Sequence, residues 1–91
     1  MGTECDDISP PKDQRVDRFL ERVRTELQKA THTYGKFHSL HEAYAVILEE
    51  VDELWQEVRD NHKYRDYANV RNELVQIAAM CVRTALDMNV I

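Results

Sequence analysis

The 91-residue chain is long enough for one domain and too short for two, and a core made from so few residues is marginal on its own. Its net charge of −5 argues against a nucleic-acid backbone or an anionic membrane as the main partner. No stretch approaches the roughly 18 apolar residues of a membrane span. With two cysteines and no apolar signal core, the sequence predicts a cytoplasmic protein.

The first helix follows a polar segment. Residues 1–12 are acidic and contain both prolines, which predicts a flexible leader, and residues 13–91 have the helical periodicity of one domain. Apolar residues recur at steps of three and four: Val16, Phe19, Leu20, Val23, Leu27 and Ala30. Residues 31–39 interrupt the pattern, and Gly35 is the expected C-terminal cap.

The second helix is expected from about Leu40 to about Asn61. Ser39 is a candidate N-cap, with Glu42 three residues later as its capping-box partner. The helix has an apolar stripe made of Leu40, Tyr44, Ile47, Val51, Leu54 and Val58, widened by Leu48 and Trp55. We therefore expect this stripe, including Tyr44 and Trp55, to lie in the core.

The third helix is expected from Arg65 or Asp66 to the end of the chain and is apolar on two faces. Around Ile77 lie Val70, Leu74, Cys81 and Met88, and opposite them lie Val75, Ala79, Val82 and Leu86. A helix that is apolar on both faces must be covered twice, and Cys81 is expected to be a small core residue. The sequence thus predicts an all-α, three-helix antiparallel chain that completes a helical bundle by homo-oligomerisation.

Carboxylates on the second helix share one face. Glu50, Glu53 and Glu57 are three and four residues apart, beside the apolar stripe. Like charges at this spacing repel by a few tenths of a kcal/mol per pair. The row is either an ordinary solvated surface or a site whose repulsion is offset by a cation.

Glu73 on the third helix projects about 40° from Ile77, inside an apolar sector. A carboxylate buried there needs a partner, because burial alone costs several kcal/mol. One alternative is a salt bridge to an Arg or Lys of the first helix. The other is a hard divalent cation, with Gln76 adding a neutral oxygen ligand on the same side.

The segments His41–Val58 and Asn72–Arg83 together resemble the MazG-like all-α nucleotide pyrophosphohydrolases. The hallmark of that family is E-x-x-E on one helix and E-x-x-D on the next. Residues 50–53, in the context EEVDEL, match the first half, and residues 73–76 match the second except at Gln76. The resemblance implies a homodimer or a dimer of dimers. It also implies Mg²⁺-dependent cleavage of nucleoside triphosphates between the α- and β-phosphates, giving monophosphate and pyrophosphate.

The resemblance further implies roles for individual residues. Glu50, Glu53 and Glu73 would bind Mg²⁺, or Mn²⁺ in its place, with Gln76 as a weaker ligand, and one carboxylate would orient or deprotonate the attacking water. Candidates for phosphate binding are Lys36, Lys63, Arg65 and Arg71. Tyr64 and Tyr67, at the helix junction, are candidates for stacking on a base.

Two alternatives to the enzyme stay open. Because Gln76 removes one negative charge from the ligand set, the chain is alternatively a catalytically silent relative that binds metal or nucleotide. The two-faced third helix also suits a purely structural oligomerisation protein.

Overall fold

The computed structural model describes residues 13–61 and 67–91, and this part of the chain is all-helical with no strand. Its elements are α1 (Gln14–Thr33), α2 (Leu40–Asn61) and α3 (Ala68–Asp87). The predicted all-α class and the bounds of the second helix are confirmed. The expected leader, residues 1–12, and the expected start of the third helix at Arg65 or Asp66 lie outside the described residues. No helix in the described ranges is long and apolar enough to cross a membrane.

Side chains cap the first two helices at their N-termini. Asp13 Oδ1 accepts a hydrogen bond from the Arg15 backbone N–H at 2.9 Å, which satisfies a donor that α1 leaves free. At the start of α2, Ser39 Oγ accepts from the Glu42 N–H at 3.0 Å, as predicted. The Glu42 carboxylate accepts from the His38 N–H at 2.6 Å, so the reciprocal bond goes one residue further back than in a standard capping box.

Two helix ends differ from the predictions. Gly35 is not the C-cap of α1, since that position is occupied by Tyr34 in an extended conformation and Gly35 has no positive φ. The third helix does not run to Ile91. Asn89 adopts φ 56°, Val90 N–H donates to Ala85 O at 3.0 Å and Asn89 N–H to Leu86 O at 3.2 Å. This is a Schellman motif with asparagine in place of glycine, and it stops α3 at Asp87.

The third helix lies between the other two and packs against both, whereas α1 and α2 do not pack against each other in the described part of the chain. Glu26 pairs with Gln76 and Gly35 with Arg83, so α1 runs parallel to α3. Phe37 pairs with Asp87, whereas residues 50 and 53 meet residue 73, so α2 runs antiparallel to α3. Successive helices therefore alternate in direction, as an antiparallel three-helix chain requires.

The core of this single chain is small. Its buried apolar residues are Val23, Ala30, Phe37, Ala43, Val75, Ala79 and Met80. The radius of gyration of the Cα atoms is 16.8 Å, larger than the roughly 12 Å of a compact domain of this length. The described residues thus form an open arrangement rather than a closed globule.

Most of the α2 stripe and one α3 residue that we expected in the core are exposed in the chain taken alone. Tyr44 and Trp55 are 66% and 57% exposed, and Cys81 is also exposed. The physical reason is a rotation of each helix: α2 turns Ala43 toward α3, and α3 turns Val75 and Ala79 inward. Most of the apolar stripe of α2 consequently points away from the core, and so do Leu74, Cys81, Val82 and Leu86 of α3.

A buried cation fixes the loop between α1 and α2. Arg83, 7% exposed, donates from a guanidinium nitrogen to Gly35 O and lies 4.2 Å from the Phe37 ring centroid. Its Nε lies 3.5 Å from Asp87 Oδ2, which accepts from the Phe37 N–H at 3.0 Å. The pair therefore holds the backbone on both sides of Lys36 against α3.

We expect Arg83→Leu to lower the free energy of unfolding by about 3–5 kcal/mol, because it leaves Asp87 buried without its counter-charge. Arg24→Leu, which breaks an exposed pair with Glu21, should change it by less than about 0.5 kcal/mol. Urea unfolding at one fixed protein concentration measures both. Equal effects of the two substitutions would contradict a structural role for the Arg83–Asp87 pair.

Candidate metal centre

Three carboxylates meet where α2 and α3 pack together. Glu50 and Glu53 come from α2 and Glu73 from α3, and one carboxylate oxygen of each lies within 4.8 Å of the others. Glu50 and Glu73 are half-buried, whereas Glu53 is exposed. Oxygens at this separation are close enough to share one cation as ligands.

Helix periodicity explains how α2 supplies two of the three. Glu50 and Glu53 are three residues apart, and Ala43 lies two turns before Glu50 on the same face. Ala43 and Ala79 are 1% and 0% exposed. Small side chains in the contact let the two helices approach closely, which brings Glu73 to the α2 pair.

Burial and mutual repulsion change the acid–base behaviour of the group. Removal from water, and then the negative charge of Glu53, raises the pKa of the Glu50 carboxyl to about 7. The same two causes, in the same order, raise the pKa of Glu73. Glu50 and Glu73 thus hold a proton more tightly than isolated carboxylates do.

The alternative of a salt bridge for Glu73 is not what the structure shows. In the ranges 13–61 and 67–91 Glu73 forms no ion pair with a Lys or Arg, and its close charged neighbours are Glu50 and Glu53. The charge that would offset Glu73 therefore does not come from a basic side chain of α1.

Unsatisfied oxygens provide a test of whether a cation fits. Among the described residues, three buried side-chain atoms lack a hydrogen-bond partner, namely Glu26 Oε2, Glu50 Oε1 and Glu73 Oε1. Buried polar atoms are normally hydrogen-bonded, so each such atom calls for an explanation. A bound cation is one, and for Glu50 and Glu73 a proton shared between the two carboxyl groups is another. All three are carboxylate oxygens, the donor type that Mg²⁺ and Mn²⁺ prefer. The donor set fits a hard divalent cation.

A cleft of about 670 Å³ adjoins the group at Glu50. Its lining continues to Gln76 on α3 and to the loop after α1, where Tyr34 and Lys36 are exposed. Ligand sites typically enclose about 300–1,000 Å³, so a nucleotide-sized molecule fits this volume.

The other predicted site residues fall into two groups. Gln76 and Lys36 line the cleft. Tyr67 and Arg71 are exposed and do not line it. The remaining candidates, Lys63, Tyr64 and Arg65, lie outside the described residues.

Sequence reasoning did not assign several charged cleft residues to the site, among them Glu26, Lys29 and Arg83. Gln76 Nε2 donates to Glu26 Oε1 at 2.8 Å, and Lys29 Nζ lies 3.9 Å from Glu26 Oε2. A signal for Glu26 was present, because it projects within about 60° of Val23 and about 40° of Ala30 on α1. The argument from an apolar sector that singled out Glu73 applies equally to Glu26.

Comparison of the chain with protein-family models, with curated proteins and with solved structures gives no match. The site is therefore interpreted from its own geometry and chemistry.

The raised pKa of Glu50 predicts a pH-dependent stability in metal-free buffer. Between about pH 4.5 and about pH 7 the folded protein holds a proton on Glu50 that the unfolded chain has released. The free energy of unfolding attributable to Glu50 therefore falls as the pH rises through this window.

We expect Glu50→Gln to remove this contribution, so that stability measured by urea unfolding in EDTA declines less between pH 4.5 and 7 than in the wild type. Asp52→Asn is the matched control on α2, and it keeps the wild-type slope because Glu50 is intact. A Glu50→Gln profile parallel to the wild type would contradict the assignment.

Proposed function

We propose that this protein is a Mg²⁺-dependent nucleoside triphosphate pyrophosphohydrolase that cleaves between the α- and β-phosphates. The observation that carries the proposal is the group of Glu50, Glu53 and Glu73, whose oxygens lie within 4.8 Å of one another beside a nucleotide-sized cleft. The resemblance of residues 41–58 and 72–83 to MazG-like enzymes supports the same assignment.

Glu50, Glu53 and Glu73 would hold the cation, with the carbonyl of Gln76 nearby in the cleft. Mg²⁺ bound there would polarise the phosphoanhydride and lower the pKa of an attacking water. Glu50 has a further role, because with a pKa of about 7 it exchanges a proton near neutral pH. Cation binding displaces that proton, so metal affinity should rise with pH.

The cleft also supplies positive charge for the phosphates. Lys36 follows Gly35, whose carbonyl is bound by Arg83, so the backbone of the loop is fixed while the Lys36 side chain stays exposed. Lys29, one turn before the end of α1, lines the same cleft. Two lysines and a bound cation would place positive charge at several points of the cleft. This arrangement suits a triphosphate, because its negative charge is spread along three phosphate groups.

We further propose that the working form is a homo-oligomer, a dimer or a dimer of dimers. The outward stripe of α2 consists of exposed large apolar residues, namely Leu40, Tyr44, Leu48, Val51, Trp55 and Val58. Leu74, Val82 and Leu86 on α3 are exposed as well. Apolar faces of this extent mark interaction surfaces, and a second copy offers the same faces in return.

Gln76 favours a second candidate, a catalytically silent relative that binds metal or nucleotide. On this alternative, the cleft binds nucleotide without turnover, and Gln76→Asp restores activity. A purely structural oligomerisation protein is the third, and it predicts that Mg²⁺ leaves the melting temperature unchanged.

The assay of function is a panel of ribo- and deoxynucleoside triphosphates with Mg²⁺ or Mn²⁺, following monophosphate and pyrophosphate release. Glu53→Gln should lower kcat/KM by at least the ten- to hundredfold typical of changes around a metal site. Glu53 is exposed, so this substitution leaves the fold intact. Asp52→Asn should retain wild-type turnover.

Turnover that Glu53→Gln does not reduce would contradict the proposed site. Nucleotide binding without turnover across the panel would replace the enzyme with the silent relative.

For the oligomer, Tyr44→Lys should raise the dissociation constant by about thirtyfold, the effect of losing a 2 kcal/mol contact. Gln56→Lys, on the other side of α2, adds the same charge and should leave assembly unchanged. Sedimentation velocity over a range of concentrations measures both. Emission of Trp55, the single tryptophan, should shift to the red as the wild type dissociates.

A wild-type protein that sediments as a monomer at all concentrations would contradict the oligomer.

A further inference from the structure

Gln76 pairs with a carboxylate on α1, and the role assigned to this pair below rests on the metal centre of the proposed function. Gln76 Nε2 donates to Glu26 Oε1 at 2.8 Å across the α1–α3 contact. The direction of this bond is fixed by chemistry, because an ionised carboxylate only accepts and the amide nitrogen only donates. Gln76 is thus oriented by Glu26, and Glu26 by Gln76.

Glu26 is a half-buried carboxylate and not an ordinary surface acid. Its side chain is 21% exposed, and its Oε2 is buried and has no hydrogen-bond partner. The nearest cation is Lys29 Nζ at 3.9 Å, on a side chain that is 72% exposed. A pair this long, with one partner in solvent, compensates little of the buried charge.

Glu26 also faces the same space as the metal centre. Glu26, Gln76 and Glu50 all line the 670 Å³ cleft, and Glu50 belongs to the three-carboxylate group. Glu26 is not one of the three whose oxygens lie within 4.8 Å of one another. Its carboxylate lies on the α1 side of this cleft, opposite the side that α2 lines with Glu42, Glu49 and Glu50.

An amide at position 76 is what this arrangement requires. An aspartate or glutamate there would set a second carboxylate against Glu26 with no donor between them, and the repulsion would be strong in a half-buried contact. With Gln76 the contact becomes a hydrogen bond, and one negative charge is kept.

We propose that Glu26 supplies the cation-binding carboxylate that position 76 does not, and that Gln76 is the positioning residue that holds it in the cleft. The two residues act as one unit, in which the charge sits on α1 instead of α3. Mg²⁺ keeps several of its waters in proteins, so Glu26 acts on the ion through one of those waters or by direct contact.

The test is a titration of the metal-free protein with Mg²⁺ by calorimetry, without nucleotide, alongside melting temperatures in EDTA. Glu26→Gln should weaken Mg²⁺ binding at least tenfold, the typical effect of removing a supporting group at a metal site. Two amides still hydrogen-bond, so the melting temperature in EDTA should not fall. Glu21→Gln, an exposed carboxylate on α1, is the matched control and should bind as the wild type does.

Exchanging the residues at positions 26 and 76 tests whether Mg²⁺ affinity depends on the charge of the pair or on its packing. Glu26→Gln combined with Gln76→Glu moves the carboxylate to α3 and reverses the same hydrogen bond, and it should recover Mg²⁺ affinity to within about threefold of the wild type.

Wild-type affinity in Glu26→Gln would overturn the inference and leave the three-carboxylate centre standing. Weak binding in the exchanged pair would overturn the idea that the two residues form one unit. A wild type that binds no Mg²⁺, like Glu53→Gln, would overturn the metal centre of the proposed function and the inference with it.

Discussion

The fold depends on one constraint, the burial of like charges in the contact between α2 and α3. Glu50 and Glu73 lie half-buried there, close to Glu53, in an environment that strengthens their repulsion. Ala43 and Ala79 are buried in the core that these helices share, and a proton on Glu50 offsets part of the charge. In the proposed function, a cation would take the place of that proton.

The face of α2 that packs against α3 also determines how many apolar residues the single chain buries. Placing the carboxylates against α3 forces the apolar stripe outward, and the single chain is left with seven buried apolar residues. A core of that size is marginal, so polar contacts carry more of the structure than usual. Arg83 and Asp87 fix the loop after α1 in this way, and the same loop then forms one wall of the cleft.

Periodicity predicted the three helices, and the capping pattern predicted Ser39 as the N-cap of α2, because these are properties of short segments. The grouping of Glu50, Glu53 and Glu73 followed from the resemblance to the E-x-x-E and E-x-x-D motif, since spacing alone also placed Glu57 on that face of α2. The rotation of each helix about its axis did not follow, and Tyr44 and Trp55 were placed in the core of the chain for that reason. Which stripe turns inward depends on contacts between helices, including any with a second copy. The early end of α3 was missed because Asn89 adopts a conformation more common for glycine.

Glu26 shows why a ligand motif is better compared by the positions of its charges in the folded protein than by the residue types at fixed sequence positions. Taken alone, Gln76 counts as the loss of a ligand, since its position matches an aspartate in the resembled motif. Taken with its hydrogen-bonded neighbour, the pair keeps one negative charge, moved from α3 to α1. Spacing rules relate ligands that lie on one helix or on two consecutive helices. They do not detect a carboxylate on α1 in place of one on α3, because Glu26 and Gln76 are 50 positions apart in sequence. In the sequence, the change is visible as an acidic residue, Glu26, within the apolar stripe of α1.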